Sequence, residues 1–214
     1  MNKKKVFKII GLVIVVILIL FLIYCIRNFI IIKNLQKNIE QYTSKSEYSI
    51  KSISTEENGV VIETQYYRKD NKQKLVLIRK LDNTEYRIES YNNGERTDIF
   101  WDNPEKKTAK INSGEIMGMN IENNFSFKNI FQTLLYAINN KIDVTEYNGK
   151  NCYVISRRLY KQDEREVLYI EKDTGLVLKS VYANNIVTEK EYSFENIEDD
   201  IFTEPDIGQY TINE

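Results

Sequence analysis

The chain has 214 residues, with 30 Lys and Arg against 31 Asp and Glu, two Cys and no His. Without His it lacks the commonest metal ligand and the commonest acid–base side chain. Residues 1–33 hold six of the basic residues and no acid, which leaves 24 basic against 31 acidic beyond them, a net of −7. That balance argues against a nucleic-acid partner, which demands clustered basic surface, and against electrostatic adhesion to anionic headgroups.

The apolar stretch Ile9–Ile26 is free of charge. At a rise of ~1.5 Å per residue, about 20 such residues cross a hydrocarbon core roughly 30 Å thick. Phe29 to Ile32 extend the run past Arg27, whose stem can lift its charge toward the interface. Lys3, Lys4, Lys5 and Lys8 precede the run, while Arg27 and Lys33 follow it, so the positive-inside rule predicts a cytoplasmic N-terminus and an extracytoplasmic remainder. A cleaved leader would have a shorter apolar core and a small-residue cleavage site, and none follows here. A lipoprotein would carry a small residue before its Cys, whereas bulky Tyr24 precedes Cys25. The expected organisation is a basic cytoplasmic tail over 1–8, a permanent transmembrane anchor over 9–32, a juxtamembrane helix over 33–45 and an extracytoplasmic domain over 46–214. Cys25 falls in the anchor and Cys152 in the domain, so no intrachain disulfide is expected. Abundant Lys, Asn and Ile match bacteria with AT-rich genomes.

Leu35, Ile39 and Tyr42 recur at helical spacing and put the 34–45 helix on a domain surface. β signals begin near Glu47. Asn58-Gly59, Lys69 to Lys72, Asp82-Asn83, Asn92-Asn93-Gly94 and Asp102-Asn103-Pro104 punctuate alternating runs in the manner of an antiparallel meander. The pattern breaks over 112–142. A loop centred on Ile116-Met117-Gly118-Met119 precedes a helix that Ser126 can cap, with apolar positions Phe127, Phe131, Leu134, Leu135 and Ile138, ended by Asn139-Asn140. Such a helix is expected on the sheet. Strands resume after Asn148-Gly149 and turn at Asp173-Thr174-Gly175 and Asn184-Asn185. Nine to ten strands and two helices make the class α+β with one large antiparallel sheet.

The stretch Tyr169-Ile-Glu-Lys-Asp-Thr-Gly-Leu-Val-Leu-Lys-Ser resembles the Thr-Gly-Leu hairpin of the LolA/LolB/RseB lipoprotein-carrier superfamily. Phe194-Glu-Asn-Ile with Ile201-Phe202 and Pro205 resembles its closing motif, and Trp101-Asp-Asn-Pro-Glu-Lys-Lys the turn after its central strand. The resemblance covers about residues 34–210. It implies a curved, unclosed half-barrel covered by helices, with an apolar cavity between. Superfamily members carry lipoproteins, sense lipid or misfolded envelope proteins, or act as adaptors. Among Gram-positive spore formers the resemblance extends to the germination lipoprotein GerS group, partners of a peptidoglycan amidase.

Phe127, Phe131, Leu134, Leu135 and Ile138 could line a lipid-sized cavity between helix and sheet or simply fill the core. Ile116, Met117 and Met119 could form a gate or partner loop, or ordinary packing over the cavity. Asp163-Glu164 and Glu198-Asp199-Asp200 lack an EF-hand spacing and read as solvated turns. No nucleophile elbow, Walker loop or Cys-His pairing is present. These readings predict a non-enzymatic, single-pass envelope protein without cofactor that binds a partner protein or an acyl chain at the outer membrane face. The alternatives are a GerS-like sporulation or germination adaptor supporting an amidase and, from another class, a wall-active enzyme using acidic residues.

Overall fold

The computed structural model describes residues 3–81, 84–113, 119–121, 123–158, 165–182 and 185–213. Helix α1 (Lys3–Thr43) is uninterrupted. Neither Pro nor Gly occurs between Gly11 and Thr43, so nothing breaks the hydrogen-bond ladder. One helix therefore takes the place of an anchor ending at residue 32 and a separate helix over 33–45. Its first half is apolar on every side, and the large side chains from Phe7 to Ile23 are all exposed. Its second half is one-sided: Ile32, Leu35 and Ile39 are buried, whereas Lys37 and Glu40 face outward.

Strands β1 (Glu47–Thr55), β2 (Val61–Lys69), β3 (Lys72–Leu81), β4 (Thr84–Asn92), β5 (Thr97–Asp102) and β6 (Lys107–Lys110) form an antiparallel meander. After helix α2 (Ile130–Asn139) comes a second meander: β7 (Lys141–Tyr147), β8 (Lys150–Arg158), β9 (Arg165–Glu171), β10 (Val177–Val181) and β11 (Val187–Ser193). The two join where β11 pairs with β1, Ile50 opposite Tyr192. The two-residue β12 (Thr211–Ile212) adds in parallel to β6. Among the described residues the result is one open, twelve-stranded sheet in the order β12-β6-β5-β4-β3-β2-β1-β11-β10-β9-β8-β7.

Two strands exceed the sequence expectation. β12 is too short to leave a period. β7 begins at the end of the stretch read as a break and lies ahead of Asn148-Gly149, after which strands are expected, because an edge strand with Lys141 and Asp143 paired outward carries few apolar residues. Asn148 and Gly149, both at positive φ, make the tight turn from β7 to β8. Asn129, not Ser126, caps α2: its side chain accepts from the Gln132 amide at 2.9 Å.

Cross-strand register places the two larger apolar clusters on one face. Ile31, Ile32 and Leu35 of α1 pack with Ile142, Ile155, Leu168 and Ile170, joined by Phe125 and Ala137. Ile39 packs farther along with Tyr48, Ile50, Tyr66, Leu75 and Ile121. A third cluster of Tyr91, Phe100 and Ala109 lies on the opposite face under Tyr210. β6 stands beside one edge and β7 forms the other, so the connection between them has to cross from one side of the sheet to the other. Buried Ile121 and Phe125 pin that crossing to the α1 side.

The Thr174-Gly175 hairpin holds α1 down. Gly175 adopts φ 75°, and a Cβ there would stand 2.8 Å from the Leu35 carbonyl oxygen and 3.1 Å from the Ile39 nitrogen. One turn away, Asn38 Nδ2 donates to the Lys172 carbonyl at 2.9 Å. Gly175→Ala is therefore expected to cost about 1–3 kcal/mol, measured by urea unfolding of the full chain, since both the backbone conformation and the space demand glycine.

On the other face Glu89 is half-buried. Burial raises its pKa, but hydrogen bonds from Tyr91 and Arg87 and the charges of Arg87 and Lys74 outweigh that and hold it below its ordinary value. The stabilisation is fully present above the ordinary carboxylate pKa, about 4.3, and disappears as pH falls through the lowered folded-state value. Glu89→Gln should lower stability across the neutral range and flatten the acid limb of the stability–pH curve, leaving the slope above pH ~7 unchanged, as followed by thermal unfolding across pH.

Candidate functional site

The two helices and the edge strand meet where the exposed half of α1 gives way to the buried half. The last four carbonyls of a helix lack intrahelical donors, and at the end of α2 side chains supply them. Asn28 Nδ2, fully buried on α1, donates to the Ala137 carbonyl at 3.1 Å. Asn140 Nδ2 donates to the Tyr136 carbonyl at 2.7 Å. The Tyr24 hydroxyl reaches the Asn140 carbonyl at 3.3 Å and the Arg27 guanidinium the Ile142 carbonyl at 3.3 Å. Residues 24, 27 and 28 of α1 thus bind three carbonyls, those of Asn140, Ile142 and Ala137, along the chain's path from α2 into β7. Close approach is possible because the inner face of α2 carries small Thr133 and Ala137.

This geometry reverses the expectation for α2. Phe131 is 63 % exposed, Leu135 42 % and Leu134 37 %, and all three face away from the sheet. Ile138 is half-buried. Phe127 lies ahead of the helix and packs on the first cluster, its ring 5.1 Å from that of Tyr136. Periodicity locates an apolar stripe but not what it faces. Here the inward face is the small one, because α2 docks on α1 and not broadly on the sheet.

Ile116 and Met117 lie outside the described residues. Met119 is half-buried against the second cluster, and its carbonyl accepts from the Tyr48 hydroxyl at 3.2 Å. Asp163 and Glu164 also lie outside the described residues. Asp199 pairs with Lys72 at 3.3 Å and with Lys69 at 3.5 Å, and the Lys72 hydrogen bond and both lysine charges hold it below its ordinary pKa. Among the described residues no three His, Cys, Asp or Glu side chains gather as metal ligands would.

Beside α1 an open groove of about 580 Å³ is lined by Ile23, Ile26, Arg27, Ile30, Ile31 and Asn34, with Val144 of β7 and Tyr153 of β8 as the far wall. Val144 and Tyr153 are directly paired across the hairpin and share the α1 face. Ile23, Ile26 and Ile30 recur at three- and four-residue spacing, one continuous stripe of the helix. Arg27 is the cation at this wall, and Lys172 lies over the Tyr153 ring at 4.9 Å. Sequence reasoning assigned the isoleucines to the span alone. The apolar run continuing past Arg27, together with the alternation Ile142-Val144, was the signal available for this groove.

Buried Glu166 of β9 pairs with the Arg157 guanidinium of β8, and Tyr136 of α2 stands against this pair. Burial is the main cause that pushes the Tyr136 phenol above its ordinary pKa.

No protein-family model matches the chain. No curated protein matches it. Among solved structures, PNGF-II in a P21 crystal form is similar at 14 % identity and a TM-score of 0.32, over 79 % of this chain and 31 % of that one. MucB in complex with MucA(peri) is similar at 13 % identity and a TM-score of 0.43, over 81 % of this chain and 59 % of that one. The chain thus spans about a third of PNGF-II and about three fifths of MucB. What the chain itself presents is an N-terminal apolar helix beside a large, open, mostly antiparallel sheet.

Asn28→Leu keeps the size of the side chain and removes the donor to Ala137. A stability loss of about 1–3 kcal/mol is expected, with faster amide exchange in α2 and unchanged exchange in β2 to β4, read by hydrogen-exchange mass spectrometry.

Proposed function

We propose that this protein is a single-pass, membrane-anchored binding protein that holds an acyl chain in the groove between α1 and the β7–β8 hairpin. The observation that carries the reading is continuity. Ile23, Ile26 and Ile30 wall the groove, and the same helix runs on without a break into the exposed apolar stretch beginning at Phe7. An acyl chain entering sideways from a bilayer meets apolar surface throughout, and Arg27 is placed for an anionic headgroup or a carbonyl.

α1 is long and apolar enough to cross a membrane, a property shared by membrane spans and signal sequences. The span reading is supported by the helix's second half, which is built into the domain core, so that removing α1 would remove Ile32, Leu35 and Ile39. Four lysines before the apolar stretch favour a cytoplasmic N-terminus and an extracytoplasmic sheet. Binding without catalysis is the matching chemistry: the chain has no His, no carboxylate is among the residues that line the groove, and Asp143 of β7 and Glu166 of β9 are held in ion pairs.

The test uses the full chain in nanodiscs containing phosphatidylglycerol with a photoactivatable group on one acyl chain. Cross-links are expected on Val144 and Tyr153 as well as on the Phe7–Ile23 stretch. Val144→Arg, at an exposed position, should lower the β7–β8 cross-links roughly tenfold, the effect of losing about 1.4 kcal/mol of apolar contact, and leave those in the stretch unchanged. Cross-links confined to the Phe7–Ile23 stretch would overturn the proposal.

A further inference from the structure

Among the described residues the exposed face of α2 has no partner. Around this helix three surfaces can be distinguished. Thr133 and Ala137 face inward, Gln132 and Asn139 are polar and exposed, and Ile130, Phe131, Leu134 and Leu135 form an outward apolar stripe. Ile130 and Leu134, and likewise Phe131 and Leu135, are spaced by four residues, so the stripe runs along the helix. A short helix with polar and apolar exposed sides is the pattern of an element lying in a membrane interface.

The position of the stripe says what covers it. Hydrogen bonds from Asn28 to Ala137 and from Tyr24 to Asn140 fix the end of α2 beside residues 24–28 of α1. Those residues directly follow the exposed stretch Phe7–Ile23. That stretch is about 25 Å long at ~1.5 Å per residue, short of a hydrocarbon core of roughly 30 Å. With α1 spanning a bilayer, residues 24–28 sit where acyl chains meet headgroups. Arg27 and exposed Lys141, which directly follows Asn140, supply cations at that level, and Tyr24 an aromatic ring.

We infer that the Ile130-Phe131-Leu134-Leu135 face of α2 is immersed in the leaflet that α1 exits, giving the domain a second, non-spanning contact with the same membrane. The inference rests on the span reading of α1 and extends the membrane contact beyond the groove. With two contacts the sheet cannot rotate about α1, and the mouth of the groove is held at the lipid surface.

The experiment places a lone tryptophan at chosen depths. Trp101 is the single Trp of the chain, so Trp101→Phe gives a background for Phe131→Trp, Leu18→Trp and Tyr86→Trp, all at exposed positions. Each full-length variant is reconstituted into phosphatidylcholine–phosphatidylglycerol vesicles with bromine on the acyl chains. Phe131→Trp is expected to be quenched by lipids brominated near the headgroup end and shielded from aqueous iodide. Leu18→Trp should be quenched by lipids brominated deeper, and Tyr86→Trp by iodide only. Iodide quenching at Phe131→Trp together with bromolipid quenching at Leu18→Trp would overturn the inference and leave the span intact. Shielding of Phe131→Trp from both quenchers would also overturn it, because a second copy or another protein then covers the stripe. Iodide quenching at Leu18→Trp would remove the span and the inference with it.

Discussion

One helix has to satisfy two solvents. Over Phe7–Ile23 every side of α1 is apolar and exposed, which in water is a standing cost of hydrophobic hydration. Over Cys25–Thr43 the same helix contributes Ile32, Leu35 and Ile39 to both apolar clusters on its side of the sheet. The chain cannot relieve the first segment by folding it away, because the second is fixed by the Thr174-Gly175 turn and by Asn38 on Lys172. The rest of the molecule follows from that constraint.

The junction at Asn28 shows how the requirement is met. A fully buried amide inside an apolar helix is costly unless hydrogen-bonded. Asn28 meets that condition by donating to a carbonyl of α2 that has no intrahelical donor. The same few residues close the end of α2, start β7 and set one wall of the groove. Fold and candidate site are therefore one structure at this point. Loosening the capping would disturb the groove before it disturbed the distant strands.

Most of the sheet was legible in the residues. The turns at Asn92-Asn93-Gly94, Asn148-Gly149 and Thr174-Gly175 fall where the hairpins are, because left-handed backbone conformations leave a strong mark on residue choice. Edge strand β7 was not legible, since a solvated edge needs little apolar residue. For α2 the periodicity was right and the inference from it was not. Phe131, Leu134 and Leu135 form a stripe, but a stripe reports an apolar surrounding without saying whether protein or lipid provides it. Likewise Ile23, Ile26 and Ile30 read as span. Their second role, walling a groove, depends on Val144 and Tyr153, which lie more than a hundred residues away in sequence.

The absence of any break in α1 also governs motion. Most anchored domains hang from a linker and sample many orientations, whereas here the helix that enters the core is the helix that leaves it. On the proposed membrane reading, a span that tilts to match a thinner bilayer leans the whole twelve-stranded sheet by the same angle. The molecule is then a rigid lever with its fulcrum at Asn28, and bilayer thickness is converted into the pitch of the far sheet edge.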